Sequence, residues 1–203
     1  GQSCSAVSRI YAHGSVHDAL VDALAAEADK LVLGHPTDDP ACDLGPFATD
    51  AARARTETLI ADALARGARL VCGGTRPDDP RFARGFYHLP TVLSGVPEDA
   101  WCLREEIFGP VAPIAAPFAD LDDALARAND TETGLCAYVF ARDTATVARL
   151  TDGLNAGTVC VNHGAVNTGY GPYEGWGDSG YGVELGRRAV FEYLKTKHVK
   201  VQL

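Results

Sequence analysis

Apolar residues recur along the chain with two different periods, and the longer period first occurs between Val16 and Leu31. There, apolar side chains return about every three to four residues, which is typical of the buried face of an amphipathic helix. Ser15 followed by Asp18 fits the capping box that begins many helices. The pattern therefore predicts a helix that starts at Ser15 and ends near Leu31.

Alternating and short apolar runs predict strands, which alternate with further helices. Besides that first helix, the predicted elements are a strand over 6–13, a helix over 50–66, a strand over 68–74, an extended segment over 86–93, a strand within 108–118, a helix from Asp120, a strand over 135–141, a helix over 143–154, a strand over 157–162, a short helix over 184–193 and a terminal strand over 195–203. Prolines in 108–118 favour an edge of the sheet or the ends of that strand. The alternation predicts an α/β fold with a mostly parallel sheet and helices on both faces.

Composition excludes several classes of function. The 203 residues suffice for a large core, and the 18 Lys and Arg against 27 Asp and Glu give a net charge of −9. No basic cluster could follow a phosphate backbone, so nucleic acid is not expected as a partner. We expect no membrane contact and a cytoplasmic location, because no apolar run approaches about 20 residues and no signal peptide is recognisable. The six cysteines include no CxxC pair, so neither a zinc site nor a disulfide framework is predicted.

Two motifs suggest chemistry that their context does not support. GWGDSG at 175–180 matches the glycine fingerprint of dinucleotide-binding folds, but it does not follow an apolar strand, so we interpret it as a turn-rich loop. His13 and His17 have the spacing of a helical metal pair, yet Gly14 and the predicted cap at Ser15 lie between them. We therefore expect no metal site.

Two other segments are open to a functional interpretation. Cys4 could be a buried inert thiol, but its small and polar neighbours leave it approachable, which favours a nucleophile. The segment REEIFGPV at 104–111 could be a solvated acidic corner. Alternatively, one carboxylate accepts hydrogen bonds from a sugar diol beside an aromatic that packs on a planar ring.

Several short motifs become informative through their order. They are GQSC at 1–4, GPF at 45–47, GARLVCGG at 67–74, EEIFGPV at 105–111, VN at 161–162 and PYEGWGDSGYG at 172–182. Through them the chain resembles the aldehyde dehydrogenase superfamily over essentially its whole length. The resemblance implies a catalytic domain over 1–193 and a C-terminal oligomerisation strand over 194–203, through which the protein would form homo-oligomers.

The resemblance also assigns roles to individual residues. It implies that Cys4 is the catalytic nucleophile, that Glu106 binds the nicotinamide ribose hydroxyls of NAD or NADP, and that Phe108 packs beside the nicotinamide. Glu105 would be structural, and Tyr173 would line the channel for a small aldehyde substrate.

The implied reaction is the NAD(P)-dependent oxidation of an aldehyde to a carboxylic acid. Cys4 would attack the aldehyde to give a thiohemiacetal, whose hydride passes to NAD(P)⁺, and water would hydrolyse the resulting thioester. In this family the general base, the oxyanion-hole asparagine and the coenzyme domain precede the GQxC motif. We therefore expect the chain to be part of a longer enzyme and to be inactive by itself.

Three departures from the family pattern leave coenzyme preference and substrate class open. Glu174 stands where the family has glycine, Gly177 where it has lysine, and Ala52 where a ribose-contacting glutamine is common. Two alternatives to the dehydrogenase also remain: a non-enzymatic association module that uses the terminal strand, and a cysteine acyl-transfer or esterase domain that uses Cys4 alone.

Overall fold

The protein, in a computed structural model that describes residues 1–166 and 168–203, divides into two units, Gly1–Ala128 and Asn129–Leu203. Each unit has its own secondary structure and is described separately. The boundary expected between residues 193 and 194 stays a prediction, because a terminal strand over 194–203 needs a partner with which to pair.

The first unit contains a small sheet and four helices. Its elements are α1 (His17–Ala28), α2 (Asp50–Ala65), β1 (Arg69–Cys72), a 3₁₀ turn (Pro80–Phe82), β2 (Thr91–Val96), α3 (Trp101–Arg104), β3 (Val111–Ala115) and α4 (Leu121–Asn129, whose last residue begins the second unit). The sheet has the order β1-β2-β3, with β1 antiparallel and β3 parallel to β2. It is therefore mixed rather than mostly parallel.

Helices cover both faces of this sheet, as the sequence predicted. On one face Leu93 and Ala115, both fully buried, belong to a core cluster with residues of α2 and α3. On the other face Val92 and Ile114 pack with Val21 of α1. Adjacent strand residues thus point to opposite sides, and each side is buried.

The start of α1 differs from its prediction. Val16 is the N-cap residue and receives no side-chain cap, so the predicted capping box does not form. The Ser15 hydroxyl instead lies 2.7 Å from His13 Nδ1, and the Asp18 carboxylate lies 2.8 Å from Nδ1 of buried His17. Each imidazole thus engages one of the two side chains that the box requires.

The predicted helix over 50–66 is confirmed as α2. The Thr49 hydroxyl caps its start by accepting a hydrogen bond from the Ala52 amide at 3.2 Å. Gly67 follows the last turn with φ +103°, a conformation that glycine adopts without a steric penalty. The sequence therefore gives both ends of this helix to within one residue.

The predicted strand over 6–13 is reduced to two isolated bridges in its second half. Ile10 and His13 make parallel bridges to Ile114 and Phe118 and so lie beside β3. The expected position at an edge is confirmed for this segment, because β3 is an end strand of the order β1-β2-β3. Pro113 nevertheless lies in the middle of β3 and not at its end. Its carbonyl accepts a hydrogen bond from the Ile10 amide, but proline offers no N–H to the residues before Ile10.

The second unit is built from short elements. They are β4 (Thr133–Gly134), β5 (Cys136–Val139), α5 (Thr144–Gly153), β6 (Thr158–Val161), β7 (Tyr173–Glu174), β8 (Trp176–Gly177), β9 (Val183–Glu184) and α6 (Ala189–Glu192). β5 and β6, which precede and follow α5 in the chain, pair in parallel, as predicted for a strand–helix–strand unit. The pairs β4–β8 and β7–β9 are antiparallel.

The C-terminal segment is less regular than the sequence predicts. The helix expected over 184–193 begins only at Ala189, because Leu185 and Gly186 adopt left-handed backbone angles with φ of +58° and +61°. In the single chain, residues 195–203 belong to no helix or strand of the described part. Val199 and Val201 are each 71% exposed.

None of the helices in 1–166 and 168–203 is both long and apolar enough to cross a membrane. Within the same residues, no group of three or more His, Cys, Asp or Glu side chains could hold a metal ion.

Candidate active site

Cys4 lies in a tight turn at the surface of the first unit. The turn is closed by the Ala6 amide, which donates to the Ser3 carbonyl at 3.0 Å. The side chains of Ser3 and Ser5 meet at 3.1 Å, and Cys4 between them is exposed. The thiol of Cys4 is therefore accessible to a small molecule.

Gly1 lies against the turn that follows Phe108, three residues before Cys4. Gly1 packs so closely on the backbone of Gly109 that a Cβ on Gly1 would overlap the Gly109 carbonyl. The Gln2 side-chain oxygen accepts a hydrogen bond from the Ala48 amide at 3.0 Å. Because three residues span at most about 11 Å, the Cα of Cys4 lies within that distance of Gly1, which itself contacts Gly109.

The segment from Glu106 to Phe108 alternates between exposed and buried side chains. Glu106 is exposed, Ile107 is 4% exposed, and Phe108 is 39% exposed. Phe108 has φ +55°, an uncommon conformation for a residue with a bulky side chain. Ile107 thus anchors the segment in the core while a carboxylate and an aromatic ring remain available at the surface.

The GPF motif supports this turn from beneath. A Cβ on Gly109 would lie only 2.8 Å from both the Phe47 ring and the Thr56 hydroxyl, so the close approach requires glycine. Phe47 is buried and meets the ring of His88 edge-on, with centroids 6.3 Å apart. The turn therefore rests on a packed base.

His88 is a buried titratable group in this base. Its Nδ1 lies 2.8 Å from the Leu89 carbonyl, whereas its Nε2 is buried with no hydrogen-bond partner among the described residues. Burial lowers the pKa of His88 below the usual 6.5, which favours the neutral ring. Under neutral conditions the base of the turn thus carries no charge at His88.

Arg55 is a contributor to this region that sequence reasoning missed. From α2, its guanidinium donates to the Glu106 carbonyl at 2.6 Å and to the Ile107 carbonyl at 3.4 Å, and it pairs with the Glu105 carboxylate at 2.8 Å. Arg55 lies about 50 positions before its partners, so no sequence spacing could have indicated these contacts. The structural role that the resemblance implies for Glu105 stays a prediction.

Tyr173 belongs to the second unit and is half-buried in β7. Its hydroxyl accepts a hydrogen bond from the Cys136 thiol at 3.5 Å. The neighbouring Glu174 pairs with Arg188 at 3.0 Å. The carboxylate that replaces the family's glycine at this position is thus held by a cation of the same unit.

The VN motif also has a local role in the second unit. Asn162 has φ +52°, and its side-chain amide accepts from the Ala141 amide at 3.0 Å and donates to the Ala141 carbonyl at 2.8 Å. It thereby holds the end of β5 to the end of β6. In GWGDSG the predicted turn forms at Asp178 and Ser179, and Gly177 and Gly180 have φ of +57° and +138°, whereas Trp176 and Gly177 belong to β8.

The structure thus brings three of the predicted site residues, Cys4, Glu106 and Phe108, into one region of the first unit. Tyr173 lies in the second unit. The roles of all four residues remain predictions.

Known proteins provide an independent comparison. The model of the aldehyde dehydrogenase family matches residues 1–199. The chain is 37% identical over 203 residues to succinate-semialdehyde dehydrogenase [NADP(+)] GabD of Escherichia coli (strain K12), and it covers 41% of that protein.

Two solved structures agree with this match. Succinate-semialdehyde dehydrogenase from Burkholderia pseudomallei has a TM-score of 0.90 and 39% identity, over 95% of this chain and 39% of that chain. Betaine aldehyde dehydrogenase from Staphylococcus aureus in complex with NAD⁺ has a TM-score of 0.91 and 33% identity, over 100% of this chain and 41% of that chain. The chain thus spans about two fifths of the length of these relatives, and it belongs to the aldehyde dehydrogenase family.

Proposed function

We propose that the chain is the thiol-bearing catalytic part of an NAD(P)-dependent aldehyde dehydrogenase that oxidises a small aldehyde to a carboxylic acid. One observation carries the proposal: Gly1 packs on Gly109, so the turn that bears Cys4 lies beside the turn that bears Glu106 and Phe108. A nucleophile and a coenzyme-binding segment must be neighbours if a hydride is to pass from the bound substrate to the coenzyme.

In this proposal the first step belongs to Cys4. Its thiolate attacks the carbonyl carbon, so a C–S bond forms and the carbonyl π electrons move to oxygen, which gives a thiohemiacetal. The exposed turn leaves room for a small aldehyde. Hydride loss converts the thiohemiacetal into a thioester, which water cleaves to the acid while the thiol is regenerated.

The residues of the Glu106 segment fit a nicotinamide coenzyme. The Glu106 carboxylate is exposed and can accept hydrogen bonds from ribose hydroxyls, and the exposed face of Phe108 can pack on a planar ring. NAD⁺ or NADP⁺ supplies the hydride acceptor when bound. Relatives of both coenzyme types, a succinate-semialdehyde dehydrogenase [NADP(+)] and a betaine aldehyde dehydrogenase with NAD⁺, support this assignment.

Tyr173 is proposed to line the substrate channel, which its position in the PYEGWG motif supports. The protein is further proposed to be cytoplasmic and to form homo-oligomers through 194–203. Val199 and Val201 support the last point, because they alternate with polar residues and are exposed in the single chain.

The experiment that tests the proposed function replaces Cys4 by alanine in the natural full-length protein. We expect Cys4→Ala to abolish aldehyde-dependent NADH or NADPH formation, because no thiohemiacetal can form. Cys42→Ala is the matched control, since Cys42 lies in a loop of the same unit and should leave turnover unchanged. Turnover retained by Cys4→Ala would refute the assignment.

A further inference from the structure

Arg55 bridges α2 and the segment that carries the proposed coenzyme-binding residues. Its three contacts are with two consecutive main-chain carbonyls, those of Glu106 and Ile107, and with the Glu105 carboxylate. None of these bonds goes to the Glu106 carboxylate. Arg55 thus fixes the backbone at Glu106 and leaves its side chain available to a ligand.

The segment that Arg55 holds connects α3 to β3 and belongs to neither of them. α3 ends at Arg104, and the backbone becomes extended at Glu105, with φ −116° and ψ +144°. Three residues later Phe108 adopts φ +55°, which is strained for a non-glycine residue. A strained conformation persists only when surrounding contacts enforce it, and the carbonyls that Arg55 binds immediately precede it.

The fork of a guanidinium suits this task. It presents several N–H donors in a fixed plane, so one side chain can bind a carboxylate and carbonyls at the same time. The Arg55 side chain is 44% exposed and that of Glu105 is 53% exposed, so the ion pair alone contributes little stability. The same contacts can nevertheless set the geometry of Glu106.

We propose that Arg55 is a positioning residue for coenzyme binding, which acts by holding the backbone of Glu106 and Phe108 in the geometry that the nicotinamide ribose and ring require. The proposal rests on the proposed function. Arg55 itself touches neither the coenzyme nor the substrate in this account.

The test uses the natural full-length protein and the variants Arg55→Leu and Arg55→Lys. We expect Arg55→Leu to raise the KM for NAD(P)⁺ and the dissociation constants of NADH and NADPH about tenfold. Lysine should recover only part of this loss, because an ammonium group cannot reproduce the planar fork. Full recovery by lysine would overturn the proposal, since charge alone would then explain the effect.

Two measurements separate positioning from a general loss of structure. The release of nitrophenol from an activated ester, which needs Cys4 but no coenzyme, should stay within twofold of wild type in Arg55→Leu. Arg66→Leu is the matched control, because Arg66 lies at the end of the same helix and pairs with Asp62 and Asp99, away from the Glu106 segment. Its coenzyme binding should equal that of wild type.

A double-mutant cycle tests whether Arg55 acts through Glu106. If it does, Arg55→Leu added to Glu106→Gln should cause a much smaller loss of coenzyme affinity than it causes alone. Fully additive losses would overturn the positioning role, and so would unchanged affinity in Arg55→Leu.

The outcomes also separate this proposal from the proposed function. If the wild-type protein is active and Arg55→Leu binds the coenzyme equally well, the role of Arg55 is refuted but the proposed function is not. A wild-type protein that binds neither NADH nor NADPH refutes both proposals.

Discussion

At the scale of single residues, the candidate site depends on close approaches that only glycine allows. Gly1 contacts the Gly109 backbone, and Gly109 in turn lies on Phe47 and Thr56. The glycines at these two positions are therefore explained by packing. They allow two exposed turns to lie beside each other above a buried aromatic.

Sequence reasoning could name the reactive side chains but not the groups that hold them. Cys4, Glu106 and Phe108 lie in short motifs whose order carries the family resemblance. Arg55 has no such motif, because its contacts join segments far apart in the chain and exist only after folding. The Nε2 of His88, which has no hydrogen-bond partner among the described residues, could not be predicted either, since burial is a property of the packed structure.

The lowered pKa of His88 leads to the prediction that the free energy of unfolding depends on pH. Its folded-state pKa is lowered, mainly by burial, whereas the unfolded chain has the ordinary value near 6.5. Above the pKa that His88 has in the unfolded chain, its ring is neutral in both the folded and the unfolded state. As the pH falls below it, the unfolded chain takes up a proton that the folded protein resists, so the free energy of unfolding must fall.

Urea unfolding at pH 7.5 and pH 5 measures this effect. His88→Asn, whose amide can still donate to the Leu89 carbonyl, should reduce the difference between the two pH values. His198→Asn, in the exposed C-terminal segment, should retain all of it. An acid-induced loss of stability that is equal in wild type and His88→Asn would contradict this role for His88.

At the scale of elements, the helices were predicted best where a capping residue marks the start of a segment whose apolar residues recur with the helical period. α2 and α5 have both, with caps from Thr49 and from Asp143, which accepts from the Thr146 amide at 2.7 Å. The strand over 6–13 and the helix over 184–193 were predicted too long. The segment 6–13 is limited because Pro113 of β3 has no N–H to donate to it. The helix is limited by the left-handed backbone at Leu185 and Gly186. The apolar periodicity of the sequence indicates neither effect.

The cap of α2 leads to a prediction about stability. Thr49→Ala removes the acceptor for the Ala52 amide, so we expect the free energy of unfolding to fall by about 1 kcal/mol. Thr58→Ala is a matched control, because the Thr58 hydroxyl donates to the Ala54 carbonyl on an exposed part of the same helix. Its effect should stay within about 0.5 kcal/mol.

Chemical denaturation of both variants measures the difference. Equal losses for Thr49→Ala and Thr58→Ala would show that the cap does not stabilise α2. The result also concerns the site, because α2 carries Arg55 and an unwound first turn would loosen the contact with Glu106.

At the scale of the whole molecule, the chain combines a unit that contains the thiol turn with a unit of short strands that ends in an exposed segment. Its relatives are more than twice as long as this chain. The α/β class and the helices on both faces of the first sheet were predicted from the alternation of apolar segments. The mixture of parallel and antiparallel strands in that sheet was not predicted, because apolar runs do not encode strand direction.

The exposed C-terminal segment leads to the last prediction. Val199 and Val201 would share one side of a strand and Lys200 the other, so addition of 194–203 to a sheet edge of a neighbouring subunit would bury the valines and leave the lysine in water. Replacing both valines by asparagine in the full-length protein should weaken subunit association at least about tenfold. Lys200→Gln, on the opposite side, should leave it unchanged. Light scattering across a dilution series gives the masses, and association that is equally strong in the double variant would refute the oligomerisation role of this segment.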